Sequence, residues 1–225
     1  MKLFSPLIRV LIDDSTRRRL EQEGQEIKGF RGFLRVLSGH FHHLTLYNPL
    51  ALLAGVGFAA SLFNPWWHAT VREGRHSIDA WAFILSHDLP IEGVKYIIKT
   101  PLPAVVILLL ALLGYLFLAF WGSTMAGKKG RLYIVSSGVL MLIYIAGFYG
   151  CVVFGTHRIG QPVTGQFIIF QDMARVIVHT YFLPSYYLAI GAGVLCVLSS
   201  LTHGWVPIRF YRSKKGVEKE DGNGL

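Results

Sequence analysis

The sequence predicts an all-α membrane protein: an antiparallel bundle of four transmembrane helices with a small extracytoplasmic β-sheet cap. Three observations predict it. Residues 44–69, 101–127, 132–157 and 181–207 contain no Asp, Glu, Lys or Arg in a chain that is 52% hydrophobic and 16% charged, and each run exceeds the ~20 residues that cross a ~30 Å hydrocarbon layer as a helix. The Lys and Arg residues divide unevenly between alternate flanks. Polar, alternating segments follow the first and third runs, where outer loops would lie.

The charge count orients the chain. Residues 1–45 carry eight Lys and Arg, the 123–131 loop three and the segment from 203 onward five. The 64–100 loop carries four and the 156–180 segment two. An excess of basic residues marks cytoplasmic flanks, so both termini are expected in the cytoplasm. The net charge of +9 is then a topology signal, and no nucleic-acid partner is expected.

Residues 1–45 are read as a cytoplasmic amphipathic region. Leu7, Val10 and Leu11 recur at helical spacing, and Phe30, Phe33, Leu34 and Leu37 oppose Arg31 and Arg35. Such helices lie along an anionic leaflet or dock on a partner subunit. Arg9, Asp13, Asp14 and Arg17 interrupt the first apolar residues, unlike a secretory signal.

The transmembrane domain is expected over residues 46–205, with spans at about 46–66, 101–122, 132–155 and 182–203, outer loops 67–100 and 156–181, and a basic cytoplasmic tail 206–225. Span one opens at Asn48-Pro49 and closes at Asn64-Pro65; span two opens at Pro101 and ends before a Gly-Lys-Lys-Gly-Arg turn; span four opens near Pro184. Trp66, Trp67, Trp121, Tyr186, Tyr187 and Trp205 flank these ends and are expected as interfacial anchors, since amphipathic rings are stable at headgroup depth. Small residues such as Gly55, Gly138, Gly147, Gly150 and Gly193 allow close helix packing. Cys151 and Cys196 differ in expected depth by ~15 Å, too far for a disulfide.

In the outer loops, residues 68–72 and 76–84 alternate about Arg-Glu-Gly, predicting a hairpin with Gly74 at its turn. VTGQFIIF (163–170) reads as a strand and ARVIVHTYF (174–182) as a strand or short helix. An isolated hairpin is marginal, so both loops are expected to share one antiparallel sheet.

With Leu62, Phe63, Asn64, Pro65, Trp66 and Trp67 forming an LFxPWW phrase between a span and a strand, the chain resembles claudin-like four-helix (tetraspan) membrane proteins, prokaryotic ones included. The resemblance covers about residues 45–205 and implies four helices, termini inside and a shared outer sheet. The two-cysteine signature of the claudin first loop has no counterpart here, so the junction-forming role does not carry over.

Chemistry is sparse. No nucleophile elbow, phosphate loop, CxxC pair or intramembrane carboxylate occurs, which argues against an enzyme and against coupled transport. HFHH (40–43) lacks Cys, Asp or Glu neighbours to complete a zinc site, and no metal is expected. The nine histidines leave a haem b alternative, with His43 and His203 at the inner boundary or His68, His157 and His179 at the outer one as candidate ligands. The leading expectation is a non-catalytic multi-pass protein without a cofactor: an accessory or scaffolding subunit, or a self-associating tetraspan. Its partners would be lipids, other membrane subunits or its own copies. The alternatives are a haem-b-binding anchor of an oxidoreductase and a lipid- or small-molecule-binding membrane protein.

Overall fold

The computed structural model describes residues 45–71, 76–83, 85–87, 101–158, 160–171 and 174–209. The N-terminal amphipathic region, the HFHH segment with His43, the Gly74 turn and most of the basic tail lie outside the described residues. In chain order the elements are β1 (Thr45–Leu46), α1 (Pro49–Ser61), β2 (Trp67–Val71), β3 (His76–Ala80), β4 (Leu85–His87), α2 (Leu102–Thr124), α3 (Gly127–Arg158), β5 (Gly165–Gln171), β6 (Ala174–Phe182), α4 (Pro184–Ser199), a 3-10 turn (Ser200–Thr202) and β7 (Ile208–Arg209).

Among the described residues three helical segments are long and apolar enough to cross a membrane: Leu102–Thr124, Gly127–Arg158 and Pro184–Thr202. The chain is thus a membrane protein by length and composition. The fourth apolar helix, α1, has 13 residues and a length of about 20 Å, shorter than the span expected over 46–66. Pro65 precedes a strand that already contains Trp67, so the aromatic end of that apolar run belongs to the sheet. At the other helix junction the correction runs the opposite way. The expected Gly-Lys-Lys-Gly-Arg turn is the first turn of α3, and the reversal is confined to Met125 and Ala126. Gly127, with φ 73°, takes the left-handed conformation that only glycine adopts without strain.

Helix α1 packs on α4 and α2, α2 on α3, and α3 on α4. On α1 and α4 most inward positions are small, with Phe58 and Tyr186 the large exceptions. On α1 the inward positions are Ala51, Ala54, Gly55, Phe58 and Ser61, recurring every three or four residues, while Leu50, Leu53 and Val56 face outward and are exposed. Helix α4 repeats the pattern with Ser185, Ala189, Ala192, Gly193, Cys196 and Ser199 inside and Leu188, Val194 and Leu198 outside. In water this arrangement would be inverted; in lipid, where tails are as apolar as leucine, close backbone approach between small residues drives helix association. Cys196 is buried and Cys151 exposed, both as free thiols, as the depth argument expects.

Strands from the two segments between helices form one five-stranded antiparallel sheet in the order β4-β3-β2-β6-β5, which agrees with the expectation of one shared sheet. The central strand β2 is the seam: Trp67 lies opposite Ala80 on β3 and Phe182 on β6. ARVIVHTYF resolves to strand because it pairs with β5 along Ala174–Thr180 and with β2 along Val178–Phe182, so Val178, His179 and Thr180 are held on both sides. The sheet sits at the helix ends from which β2 departs and to which β6 returns.

At the opposite end the chain is tied by a feature that sequence pattern did not anticipate. β1 pairs with β7, Tyr47 and Asn48 N–H groups donate to the Ser123 carbonyl at 2.8 and 3.2 Å, and Gly204 N–H donates to Tyr47 O at 3.0 Å. Asn48 is the pivot. Its Oδ1 accepts from Ala51 N–H at 2.9 Å as an N-cap, and its Nδ2 donates to the Ser199 carbonyl at 2.7 Å. Asn48→Ala removes both and strands a buried carbonyl, so a loss of about 2 kcal/mol in stability is expected, measurable by denaturant titration in mixed micelles.

Candidate functional site

Three groups of side chains stand out, and they lie at different levels of the molecule. The first is an aromatic hub under the sheet. Trp66 is completely buried, with ring centroids 5.1 Å from Phe148, 5.9 Å from Tyr186, 6.2 Å from Tyr144 and 6.3 Å from Phe58. Its indole Nε1–H donates to the Ser61 carbonyl at 3.0 Å. Its backbone N–H donates to Ala80 O at 2.8 Å, and its carbonyl accepts from Leu183 N–H at 2.9 Å. Tyr144 OH on α3 donates to Ala82 O at 2.5 Å, and Ser185 Oγ on α4 donates to Pro65 O. The hub therefore joins α1, α3 and α4 to the sheet.

This changes the reading of the aromatic anchors. Trp66, Trp67, Trp121 and Tyr186 are buried within the protein, not turned out toward a headgroup layer. Trp67 donates its Nε1–H to Val163 O at 2.9 Å, and Trp121 stacks on Phe117 at 5.5 Å. The physical reason is that the sheet covers one set of helix ends and the β1–β7 tie covers the other, so rings placed there meet protein first. Tyr187 and Trp205 are outward, with 60% and 75% of their surface exposed.

The second group is the outward face of the sheet. Register places Asp79, His68 and Tyr181 in one row across β3, β2 and β6, and Ser77, Thr70, His179 and Gln166 in the next. His68 Nδ1 lies 2.5 Å from Asp79 Oδ1, with the Tyr181 ring 5.4 Å away edge-on. Nδ1 and Oδ1 share one hydrogen bond between the ring and the carboxyl group. The pair holds His68 in one orientation. Among the described residues no three His, Cys, Asp or Glu side chains come together to hold a metal ion.

The third is His203, one residue beyond the last span, at the end opposite the sheet. Its two ring nitrogens are cut off from solvent and make no hydrogen bond. A side chain at Gly130 would come within 2.9 Å of Nε2, and the Tyr47 ring lies 6.3 Å away. Burial pushes the imidazole below its ordinary pKa; the Met125 carbonyl opposes the shift without reaching hydrogen-bond geometry, and Arg131 adds to it. The folded protein therefore binds fewer protons than the unfolded chain. Stability is fully present above the unfolded value near ~6.5 and falls as pH drops through the lowered folded value. A decline in melting temperature below about pH 6.5 is expected, and His203→Phe should flatten it.

Of the candidate haem ligands, His43 lies outside the described residues, so its pairing with His203 at the inner boundary is not described; His68 and His179 sit on adjacent strands, opposite Tyr181 and Thr70. His157 and His179 are exposed, and His68 is engaged by Asp79. The buried state of His203 and the role of Asn48 were missed because each depends on contacts with residues distant in sequence, and no local pattern encodes them. No family model matches the chain, nor does any curated protein.

Proposed function

We propose that the chain is a non-catalytic multi-pass membrane protein that crosses the bilayer four times, with both termini in the cytoplasm and the sheet on the outer side. It works by contact, as a self-associating tetraspan or as an accessory subunit of a larger membrane assembly. The observation that carries this reading is the combination of a helix core of small, aliphatic and aromatic side chains, with no Asp, Glu, Lys or Arg among the described buried residues, and an outer surface rich in Leu, Ile and Val. Among the described residues this interior holds no Asp, Glu, Lys or Arg to relay a proton or coordinate an ion, and it is tied at both ends by hydrogen bonds that resist rocking. The short α1 reaches across with help: Pro65 and β2 extend it into the sheet, and Tyr47 with β1 extends it at the other end. This supports four crossings beside the three described helices of full spanning length.

Labelling of single cysteines in intact cells tests the topology. Ser77→Cys, in the sheet, is expected to react with a membrane-impermeant maleimide from outside, and Lys128→Cys, at the α2–α3 turn, only after permeabilisation. Labelling of both from one side would overturn the four-crossing arrangement.

A further inference from the structure

One edge strand, β4, has three described residues. β5 has seven, Gly-Gln-Phe-Ile-Ile-Phe-Gln, and pairs on one side only, with β6, from Gly165 opposite Thr180 to Gln171 opposite Ala174. Among the described residues no strand occupies its other side. Natural edges are blunted by charge, proline or brevity, because an open row of N–H and C=O groups recruits another strand. β5 has none of these: no charged residue and no proline. On its outward face Ile168, 43% exposed, lies opposite Ile177, 49% exposed, an apolar step at the rim of an otherwise polar surface.

We propose that β5 is the edge through which two copies of this chain associate, β5 pairing antiparallel with its symmetry mate so that the two five-stranded sheets become one. This rests on the self-association reading above and names its surface. The occupant follows from charge and symmetry. A strand that pairs with itself across a two-fold axis brings each of its charges near a like charge on the copy. The chain carries a net +9, yet this strand carries none, so self-pairing meets no repulsion there. A two-fold axis normal to the sheet keeps side chains of one face together, which requires a register centred on a residue. Centring on Ile168 sets that residue against its own copy and extends the exposed Ile168–Ile177 step across the junction.

The test uses the full chain in native-lipid nanodiscs. In a background with Cys151→Ala and Cys196→Ala, Ile168→Cys is treated with a short bismaleimide, with Ser77→Cys on the other half of the same sheet face as control. A cross-linked dimer from Ile168→Cys and none from Ser77→Cys is expected. Ile168→Lys, at an exposed position that leaves the fold intact by thermal unfolding, is expected to weaken dimerisation by about tenfold. A dimer that persists in Ile168→Lys and gives no cross-link at residue 168 overturns the edge assignment while leaving self-association in place. A monomer at all concentrations overturns both. Cross-linking of residue 168 to a different polypeptide would show the edge to be a docking strand for another protein and would overturn the self-pairing proposal.

Discussion

Replacing Trp66 by alanine is expected to be the most damaging single truncation, costing about 3–5 kcal/mol. The indole is wholly buried and surrounded by four aromatic rings on α1, α3 and α4. Its removal opens a cavity and strands the Ser61 carbonyl that accepts its N–H. The loss also falls where the sheet meets the helices, since the Trp66 backbone bonds to Ala80 and Leu183. Trp66→Phe restores most of the volume without the hydrogen bond and should recover more than half of the loss. Unfolding by SDS in mixed micelles checks the order wild type, Trp66→Phe, Trp66→Ala. Equal stability for all three would show that the hub does not hold the sheet to the helices.

The second large effect is expected from adding one methyl group at Gly130. A Cβ there would lie 2.3 Å from the Met125 carbonyl oxygen and 2.8 Å from that of Gly122. Both are backbone atoms that cannot rotate aside, so the α2–α3 reversal must open. Gly138→Ala is the companion at the α3–α4 contact, where Val197 N would be 2.8 Å away. Overpacking of this kind costs about 1–3 kcal/mol, and Gly130→Ala should fall at or above the upper limit. Gly147 and Gly150 supply the contrast: nothing lies within 4 Å of a Cβ at either, so Gly147→Ala and Gly150→Ala should be neutral or slightly stabilising through helix propensity. Thermal unfolding of the four variants separates the two classes.

Periodicity and charge in the sequence carried the elements well and their ends poorly. Uninterrupted apolar runs located the four described helices and alternation located β2 and β3, because both signals come from residues that share a face, while the β5 segment read as a strand and the β6 segment was left open between strand and short helix. The end of α1 was misjudged because apolar character continues through Phe63 into Trp66 and Trp67 while the backbone has already turned toward the sheet. Hydropathy reports what a residue avoids, not whether lipid or protein shields it. The same ambiguity explains the aromatic anchors: Trp66 and Trp205 look alike in sequence, yet one is wholly buried and the other 75% exposed. The β1–β7 tie was illegible for a different reason. Its two-residue strands have no periodicity, and the Asn48–Ser199 bond that supports them spans 151 positions.

The site followed the same division. His68 and His179 were legible as outer histidines, and register adds that they lie on adjacent strands of one exposed face. The Asp79 partner of His68 emerges only when the hairpin register is fixed. His203 reads in sequence as one of several boundary histidines; its isolation from solvent depends on Gly130, 73 residues earlier.

The central claim, that this membrane protein acts by assembly and not by chemistry of its own, is tested most directly by the intact mass and absorption spectrum of the protein released in native-lipid nanodiscs. The expected result is a defined assembly larger than the 25.2 kDa single chain, made of its own copies or with stoichiometric protein partners, and without a chromophore. A 25.2 kDa monomer carrying stoichiometric haem, with a Soret band lost in His203→Ala, would contradict the account and return the boundary histidines to the centre of the function.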